Sequence, residues 1–191
     1  MTEGQERVWR PDWPCAVGTT LSILRKGGAD PTFRTDDDGT VWRGIRTPEG
    51  TATLRLRARP ADGEVHAHAW GDGAAWALES VPSMLGADDD PAGFAPTHPV
   101  LADAHRRRPH WRVCRTGLVM EALVPAIIEQ KVTGQEALGA FRQLVYRFGD
   151  RAGSTCRRSH SQDGTIRRVS ADGCTQTPRS APAPGARSPN R

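Results

Sequence analysis

Apolar residues become scarce after residue 150. In residues 151–191 the only larger aliphatic side chains are Ile166 and Val169, and there is no aromatic residue. A segment of this composition buries too little apolar surface to offset the conformational entropy that ordering removes. We therefore predict that residues 151–191 are disordered, and that the fold is built from the first 150 residues, enough for one domain or two small ones.

Charge divides at the same point. The Arg/Ser/Pro/Gly-rich segment 151–191 contains eight arginines and two aspartates, whereas residues 1–150 contain 18 basic and 20 acidic residues. The overall net charge of +4 therefore comes from the C-terminal segment. For that reason the basic composition of the whole chain is no argument for nucleic-acid binding by its body.

Cysteine spacing and hydropathy indicate the cellular compartment of the chain. Four cysteines, at positions 15, 114, 156 and 174, form no CxxC pair, so the sequence indicates neither a zinc site nor a disulfide framework. The N-terminus lacks the apolar stretch of a signal peptide, and no apolar run reaches membrane-spanning length. These features predict a cytoplasmic protein with reduced thiols that is not attached to a membrane. We expect neither a cofactor nor an obligate protein partner.

The first 28 residues are the least regular part of the body. Residues 1–13 are polar with two tryptophans, and we predict a loosely attached N-terminal segment there. Residues 14–28 carry apolar side chains at Val17, Leu21 and Leu24. This spacing predicts a first strand that leads into a short helix.

Residues 33–86 show the periodicity of an antiparallel sheet followed by a helix. Turn signals separate the alternating runs at residues 38–39, 47–50 and 62–63. Leu54, Leu56 and Ala58 alternate with Arg55, Arg57 and Arg59, as in a strand with one buried face. A helix with a kink near Pro82 follows. The sequence thus predicts, for residues 14–93, an α+β domain with a small antiparallel sheet and flanking helices.

Residues 94–150 change to a helical pattern after a short linker. Two segments, 118–128 and 135–148, carry apolar side chains at three- and four-residue spacing around a turn at residues 132–134. Gly149 is a natural helix stop.

Three groups of side chains are candidate binding sites. His66 and His68 share one face of a strand, but no third ligand follows at metal-binding spacing, so a solvated polar face is the simpler interpretation. The acidic runs at residues 36–38 and 88–90 match no EF-hand loop and fit turns and helix caps better. A basic cluster surrounds Trp111 and consists of Arg106, Arg107, Arg108, Arg112 and Arg115. It can contact phosphates or form a solvated loop, and spacing alone favours neither.

Three stretches resemble the N-terminal half of bacterial DNA-3-methyladenine glycosylase II, a family of helix-hairpin-helix DNA glycosylases. They are VWRGIRTPEGTATLRL, HAWGDGAAWALESVPSMLGADDDPAGF and LVPAIIEQKVTGQEALGAFRQLVYRFG. The last contains the Ile-x-x-Gln, followed by Val-Thr, that the family shows where its helical domain opens. The resemblance covers residues 9–150.

The resemblance implies a fold and an activity. It implies an N-terminal unit similar to half of a TATA-binding protein, with residues 94–150 as the opening helices of an all-α glycosylase domain. The family removes alkylated purines such as 3-methyladenine by hydrolysing the N-glycosidic bond of a nucleotide flipped out of the duplex. The implied partner is therefore alkylated double-stranded DNA.

Few site residues carry over from the family. The resemblance implies that Gln130 and Thr133 lie in a turn near DNA, and that Lys131 occupies the position of an apolar wedge, where a lysine can reach a phosphate or the gap. The other predicted DNA contacts are Arg106, Arg107, Arg108 and Arg112.

Residues 151–191 contain nothing that resembles the family's glycine-rich hairpin loop or its catalytic aspartate. We therefore assign no catalytic residue, and we expect a truncated or frameshifted member of the base-excision repair family that is inactive as written. Two alternatives stay open. One is a non-catalytic DNA-binding module that uses residues 105–115 and the basic C-terminal segment. The other is an active enzyme that uses an aspartate or glutamate of the body.

Overall fold

The computed structural model describes residues 4–152, which form a mixed α+β fold around a five-stranded antiparallel sheet. The strands are β1 (Gln5–Trp9), β2 (Phe33–Thr35), β3 (Val41–Thr47), β4 (Gly50–Arg59) and β5 (Glu64–Trp70). The helices are α1 (Val17–Leu21), α2 (Ala74–Glu79), α3 (Val81–Met84), α4 (Pro99–Arg107), α5 (Val119–Ile128) and α6 (Gly134–Phe148), with 3-10 turns at Ser22–Leu24 and Pro91–Gly93. The predicted α+β class is confirmed. The predicted disorder of residues 151–191 lies outside the described residues except for residues 151 and 152.

The sheet order is β1-β5-β4-β3-β2, so β4 and β5 lie at its centre. Alternate residues of β3, β4 and β5 point to one face and are buried there, as the alternation of the sequence predicts. The inner face consists of Val41, Arg43, Ile45, Ala52, Leu54, Leu56, Val65, Ala67 and Ala69. Helices α1, α2 and α3 cover it with Val17, Leu21, Ala77, Leu78, Val81 and Met84. The opposite face of these strands, called the outer face below, is half-buried or exposed except at Thr53, which is buried.

Hairpin turns fix the register of the strands. Gly39 has a φ of +79°, a left-handed conformation that favours glycine, in the predicted turn between β2 and β3. The turn at residues 47–50 pairs Thr47 with Gly50, which places Trp42 opposite Arg55. The neighbouring register between β4 and β5 places Arg55 opposite His68.

The N-terminal prediction was wrong in two respects. Residues 5–9 are not a loose segment but the edge strand β1, which pairs antiparallel with β5 from Gln5 opposite Ala69 to Trp9 opposite Val65. This strand is held mainly by backbone pairing, so its polar sequence lacks the apolar alternation of a central strand. Residues 14–28 contain helix α1 and a 3-10 turn but no strand. Val17 and Leu21 are one helical turn apart and share a face, which is how both reach the core.

Helices α5 and α6 are attached to the sheet by a few long-range contacts. Arg43 is the one charged residue of the inner face, and its side chain is only 3% exposed. Its guanidinium donates to the Sδ of Met84 at 3.1 Å and forms an ion pair with Glu121 of α5. Ala137 is the buried residue of α6, and Asp150, just beyond that helix, pairs with Arg46 of β3. Within residues 4–152, no helix is both long and apolar enough to cross a membrane.

Candidate nucleic-acid interface

The predicted basic cluster is largely engaged with neighbouring acidic groups. Arg106 and Arg107, in the last turn of α4, lie 3.1 and 2.8 Å from the carboxylate of Asp103. Arg115 lies 3.3 Å from Asp88. Within the part of the chain that the structure describes, Arg108 is the member of the cluster whose side chain has no hydrogen-bond, ion-pair or ring partner. The cluster therefore presents less free positive charge than its five arginines indicate.

Arg112 is a structural residue of the connection between α4 and α5. Its Nη1 donates to the carbonyl oxygen of Asp89 at 2.5 Å, and its guanidinium lies 4.6 Å from the centre of the Trp13 ring. Asp89 also accepts a hydrogen bond from the backbone N–H of Val113 at 2.8 Å. Gly86 ends α3 with a φ of +97°, and a Cβ at this position would overlap the side chain of Arg112. The acidic run at residues 88–90 thus holds this connection in place, in agreement with the interpretation of the run as turn and cap residues.

The turn between α5 and α6 exposes all three of its predicted DNA contacts. Gln130 and Lys131 are exposed at the tip of the turn. Thr133 is the N-cap of α6 in a capping box: its hydroxyl accepts from the N–H of Glu136 at 3.4 Å, and the Glu136 carboxylate accepts from the N–H of Thr133 at 2.9 Å. The backbone hydrogen bond from Thr133 lowers the pKa of Glu136 below its ordinary value. Thr133 therefore has a structural role that explains its place in the motif.

The structure does not join the turn to the basic cluster. Among the described residues, no hydrogen bond, ion pair or ring contact links residues 130–133 with residues 106–112. The two groups are therefore separate features of the surface.

A third basic surface, which was not among the predicted binding sites, lies on the outer face of the sheet. Arg55, Arg57 and Arg59 occupy alternate positions of β4 and point outward. Since alternate residues of a strand are about 6.8 Å apart, they form a straight row. We call these three residues the β4 arginine row. His68 and His66 of β5 lie opposite Arg55 and Arg57.

Aromatic rings support one end of the β4 arginine row. Trp42 and Trp70 stack with ring centres 6.0 Å apart, and His68 stacks on Trp70 at 6.1 Å. The guanidiniums of Arg34 and Arg55 lie 5.1 and 5.6 Å from the centre of the Trp42 ring. Such contacts hold a guanidinium in place without neutralising it.

Arg34 and Arg55 differ in their acidic partners. Arg34 lies 2.9 Å from a carboxylate oxygen of Asp36. Arg55 forms no ion pair with any acidic group of residues 4–152. Arg57 has a single long ion pair, 3.5 Å from Asp38. Asp38 also attracts Arg55, and Glu64 lies opposite Arg59 in the register, so the positive charge of the row is compensated only in part.

The histidines beside the row do not form a metal site. His66 Nε2 lies 2.7 Å from Glu64, and no cluster of three metal-ligating side chains occurs among residues 4–152. Burial and, next in size, the positive charge of Arg55 lower the pKa of His68 below its ordinary value of 6.5. His68 is therefore mostly neutral at pH 7 and adds hydrogen-bonding capacity rather than charge.

Two enclosed carboxylates of the body are committed to structural contacts. Asp30 accepts hydrogen bonds from the N–H groups of Lys26 and Thr32 and from the Thr32 hydroxyl, at 2.7 to 2.8 Å. Glu121 neutralises Arg43. Burial raises the pKa of the Cys15 and Cys114 thiols to about 11, so neither is a thiolate nucleophile near pH 7.

The comparisons with known proteins add no family assignment. No protein-family model matches the sequence, and a search of curated proteins returns no match.

Proposed function

We propose that this chain is a DNA-binding module related to the N-terminal half of the helix-hairpin-helix DNA glycosylases, and that it does not hydrolyse glycosidic bonds itself. The β4 arginine row is the observation that supports DNA binding. Arg55 is held by an aromatic stack, has no carboxylate partner in the described chain, and continues into Arg57 and Arg59. Guanidiniums in this arrangement suit the phosphate backbone of duplex DNA, because fixed cations lose little entropy on binding and release counterions from the DNA.

Charge sets the expected strength of this binding. Residues 1–150 contain more acidic than basic residues, so their interaction with DNA depends on local surfaces rather than on net attraction. The arginines of segment 151–191 add sequence-independent attraction. We therefore expect weak, salt-sensitive binding with a Kd of about 10⁻⁴ to 10⁻⁶ M at physiological salt, in the range of non-specific binding.

The absence of hydrolysis is proposed on chemical grounds. A glycosylase needs a carboxylate held rigidly beside the sugar of the flipped nucleotide. Asp30 and Glu121 are already bonded within the fold, and the resemblance carries no catalytic aspartate onto this sequence.

Two triple variants of matched charge test which surface binds DNA. Arg55→Gln/Arg57→Gln/Arg59→Gln removes the β4 arginine row, and Arg106→Gln/Arg107→Gln/Arg108→Gln removes the same charge from the α4 cluster. Fluorescence anisotropy with a labelled duplex, at several salt concentrations, should show the larger loss for the β4 variant. Its plot of log K against log salt should flatten by about 2.7, the value for three phosphate contacts.

Other results of this comparison would lead to different conclusions about the interface. Equal losses in the two variants would show that only net charge matters, and a larger loss in the α4 variant would move the interface to the basic cluster. Unaltered far-UV circular dichroism serves as the folding control.

The absence of glycosylase activity is tested separately, with duplex DNA treated with a methylating agent. We expect no abasic sites above the protein-free background, and their formation by the purified chain would refute a non-catalytic role.

A further inference from the structure

His68 lies beside the β4 arginine row and is held there by its ring. It is opposite Arg55 in the register of β4 and β5, and its ring stacks on Trp70 with the ring centres 6.1 Å apart. Directly opposite residues of neighbouring antiparallel strands have Cβ atoms about 4.5 to 5.5 Å apart, so the two side chains are neighbours. Among residues 4–152, neither ring nitrogen of His68 has a hydrogen-bond partner, and the side chain is 31% exposed. The ring is therefore fixed in position and can accept a further ligand.

The charged groups around His68 come from three strands. Arg55 of β4 lies on one side, and Glu6 of β1, which is opposite His68 in the register, lies 3.7 Å from its Nδ1. His66 is two positions away on β5 itself, whereas helix α2 packs on the opposite, inner face. The Glu6 side chain is 76% exposed, so its carboxylate compensates a positive charge on His68 only weakly.

A phosphate suits the pair that His68 forms with Arg55. Protonated His68 and Arg55 are like charges on directly opposite residues, which destabilises the pairing of two strands. Burial, the larger cause, and the repulsion from Arg55 keep the pKa of His68 below its ordinary value of 6.5. A bound phosphate offsets this repulsion and accepts a charge-assisted hydrogen bond from each cation. Protonation of His68 and binding of a phosphate therefore favour each other.

We propose that His68 is a further phosphate ligand of the β4 arginine row, and that it contacts the DNA backbone in its protonated form. The inference rests on the proposed binding of DNA by this row and adds a pH dependence to it. Because coupling between two ligands is reciprocal, DNA binds more tightly as the pH falls and His68 takes up its proton. His66 does not share this role, because its Nε2 lies 2.7 Å from Glu64, whose carboxylate neutralises the protonated ring.

Fluorescence anisotropy with a labelled duplex and the full chain tests the role of His68. Binding is measured over a range of salt concentrations at about pH 8 and about pH 5.5, on either side of the ordinary titration of histidine. On going to the lower pH, the plot of log K against log salt should steepen by about 0.9 more in the unsubstituted chain than in His68→Phe, the value for one phosphate contact. Phenylalanine keeps a ring against Trp70 but takes up no proton. The other histidines titrate in both proteins, so the difference belongs to His68.

A matched control and an NMR titration complete the test. His66→Gln changes the neighbouring histidine of the same strand face and should keep the full steepening, with far-UV circular dichroism at both pH values as the folding control. In the unsubstituted chain, the pKa of His68 should be higher with saturating duplex than without it.

Some results would overturn this inference alone. They are equal steepening in the unsubstituted chain and His68→Phe, an equal loss of steepening in His66→Gln, and a His68 pKa that the duplex leaves constant or lowers. Binding at about pH 8, and its loss in the β4 triple variant, would still support the proposed function in each case. Absence of DNA binding at both pH values would overturn both proposals.

Discussion

Replacing Glu121 with alanine should destabilise the protein by about 3 kcal/mol, because it leaves the guanidinium of Arg43 enclosed without a counter-charge. The Arg43 side chain is 3% exposed and the Glu121 side chain 29% exposed. Removal of one partner from a buried ion pair typically costs about 3 to 5 kcal/mol, and the partial exposure of Glu121 places this pair at the lower end. For a chain of this size, about 3 kcal/mol corresponds to a fall in Tm of about 6 to 12 °C.

The tryptophans and the helices provide two separate probes of this change. All six tryptophans lie outside α5 and α6. Urea unfolding followed by tryptophan fluorescence therefore reports on the sheet, its covering helices and the adjoining connections, whereas circular dichroism at 222 nm also reports on α5 and α6. If the Arg43–Glu121 pair couples the sheet to α5 and α6, Glu121→Ala should lower the urea midpoint of both transitions. The midpoint measured by circular dichroism should fall by at least as much as the midpoint measured by fluorescence.

A matched control and a double variant complete the experiment. Arg46 and Asp150 form an exposed pair between the same two parts of the chain, so Asp150→Ala should cost at most about 1 kcal/mol. Arg43→Met/Glu121→Leu replaces the buried pair by apolar groups and should be close to neutral or stabilising. If Glu121→Ala costs no more than Asp150→Ala, the reasoning about the buried charge is wrong.

Two further predictions concern single hydrogen bonds and charges. Thr133→Ala should remove the N-cap of α6 at a cost of about 1 kcal/mol in urea unfolding. In an NMR titration the pKa of Glu136 should rise only part of the way to its ordinary value, because the hydroxyl hydrogen bond is lost while the backbone hydrogen bond, the larger cause, remains; no movement of that pKa would contradict the capping box. Because the folded-state pKa of Glu136 is lowered, its stabilising contribution is complete above the ordinary pKa and disappears as the pH falls through the lowered value. Arg55→Gln should raise the pKa of His68 without restoring it to 6.5, since burial is the larger cause of its lowering; a His68 pKa that stays constant or falls would place Arg55 outside its electrostatic reach. His68 follows the same sign as Glu136: its contribution is present above the ordinary pKa and is lost as the pH falls through the folded value.

Local periodicity made much of the sheet predictable. The alternation in residues 54–59 places the leucines inside and the arginines outside, and the two-residue turn at Pro48-Glu49 sets the pairing of β3 with β4. From these two facts alone, Trp42 can be placed opposite Arg55. The outer-face site was not predicted, because it depends on the register between β3, β4 and β5, whereas the alternation describes each strand by itself.

Contacts between distant segments could not be found in this way. β1 is polar and pairs with a strand about 60 residues later, so no local pattern marks it. The ion pair between Arg43 and Glu121 joins residues 78 positions apart. Alternation does put Arg43 on the inner face, but only the packing of α5 shows what neutralises it. The engagement of Arg106 and Arg107 with Asp103 was visible as a three- and four-residue spacing on one helix, and it explains why a count of arginines overstates the charge available there.

The chain after α6 returns to the outer face of the sheet. The Thr51 hydroxyl donates to the carbonyl oxygen of Arg151 at 3.0 Å, and the Cβ of Ala152 lies 3.7 Å from the position a Cβ would take at Gly44 on the outer face. Residues 151 and 152 therefore lie on the sheet face that carries Arg55. If the β4 arginine row holds a DNA backbone as proposed, arginines joined to the chain at residue 152 meet neighbouring phosphates at a high effective concentration, and two weak contacts act as one stronger attachment.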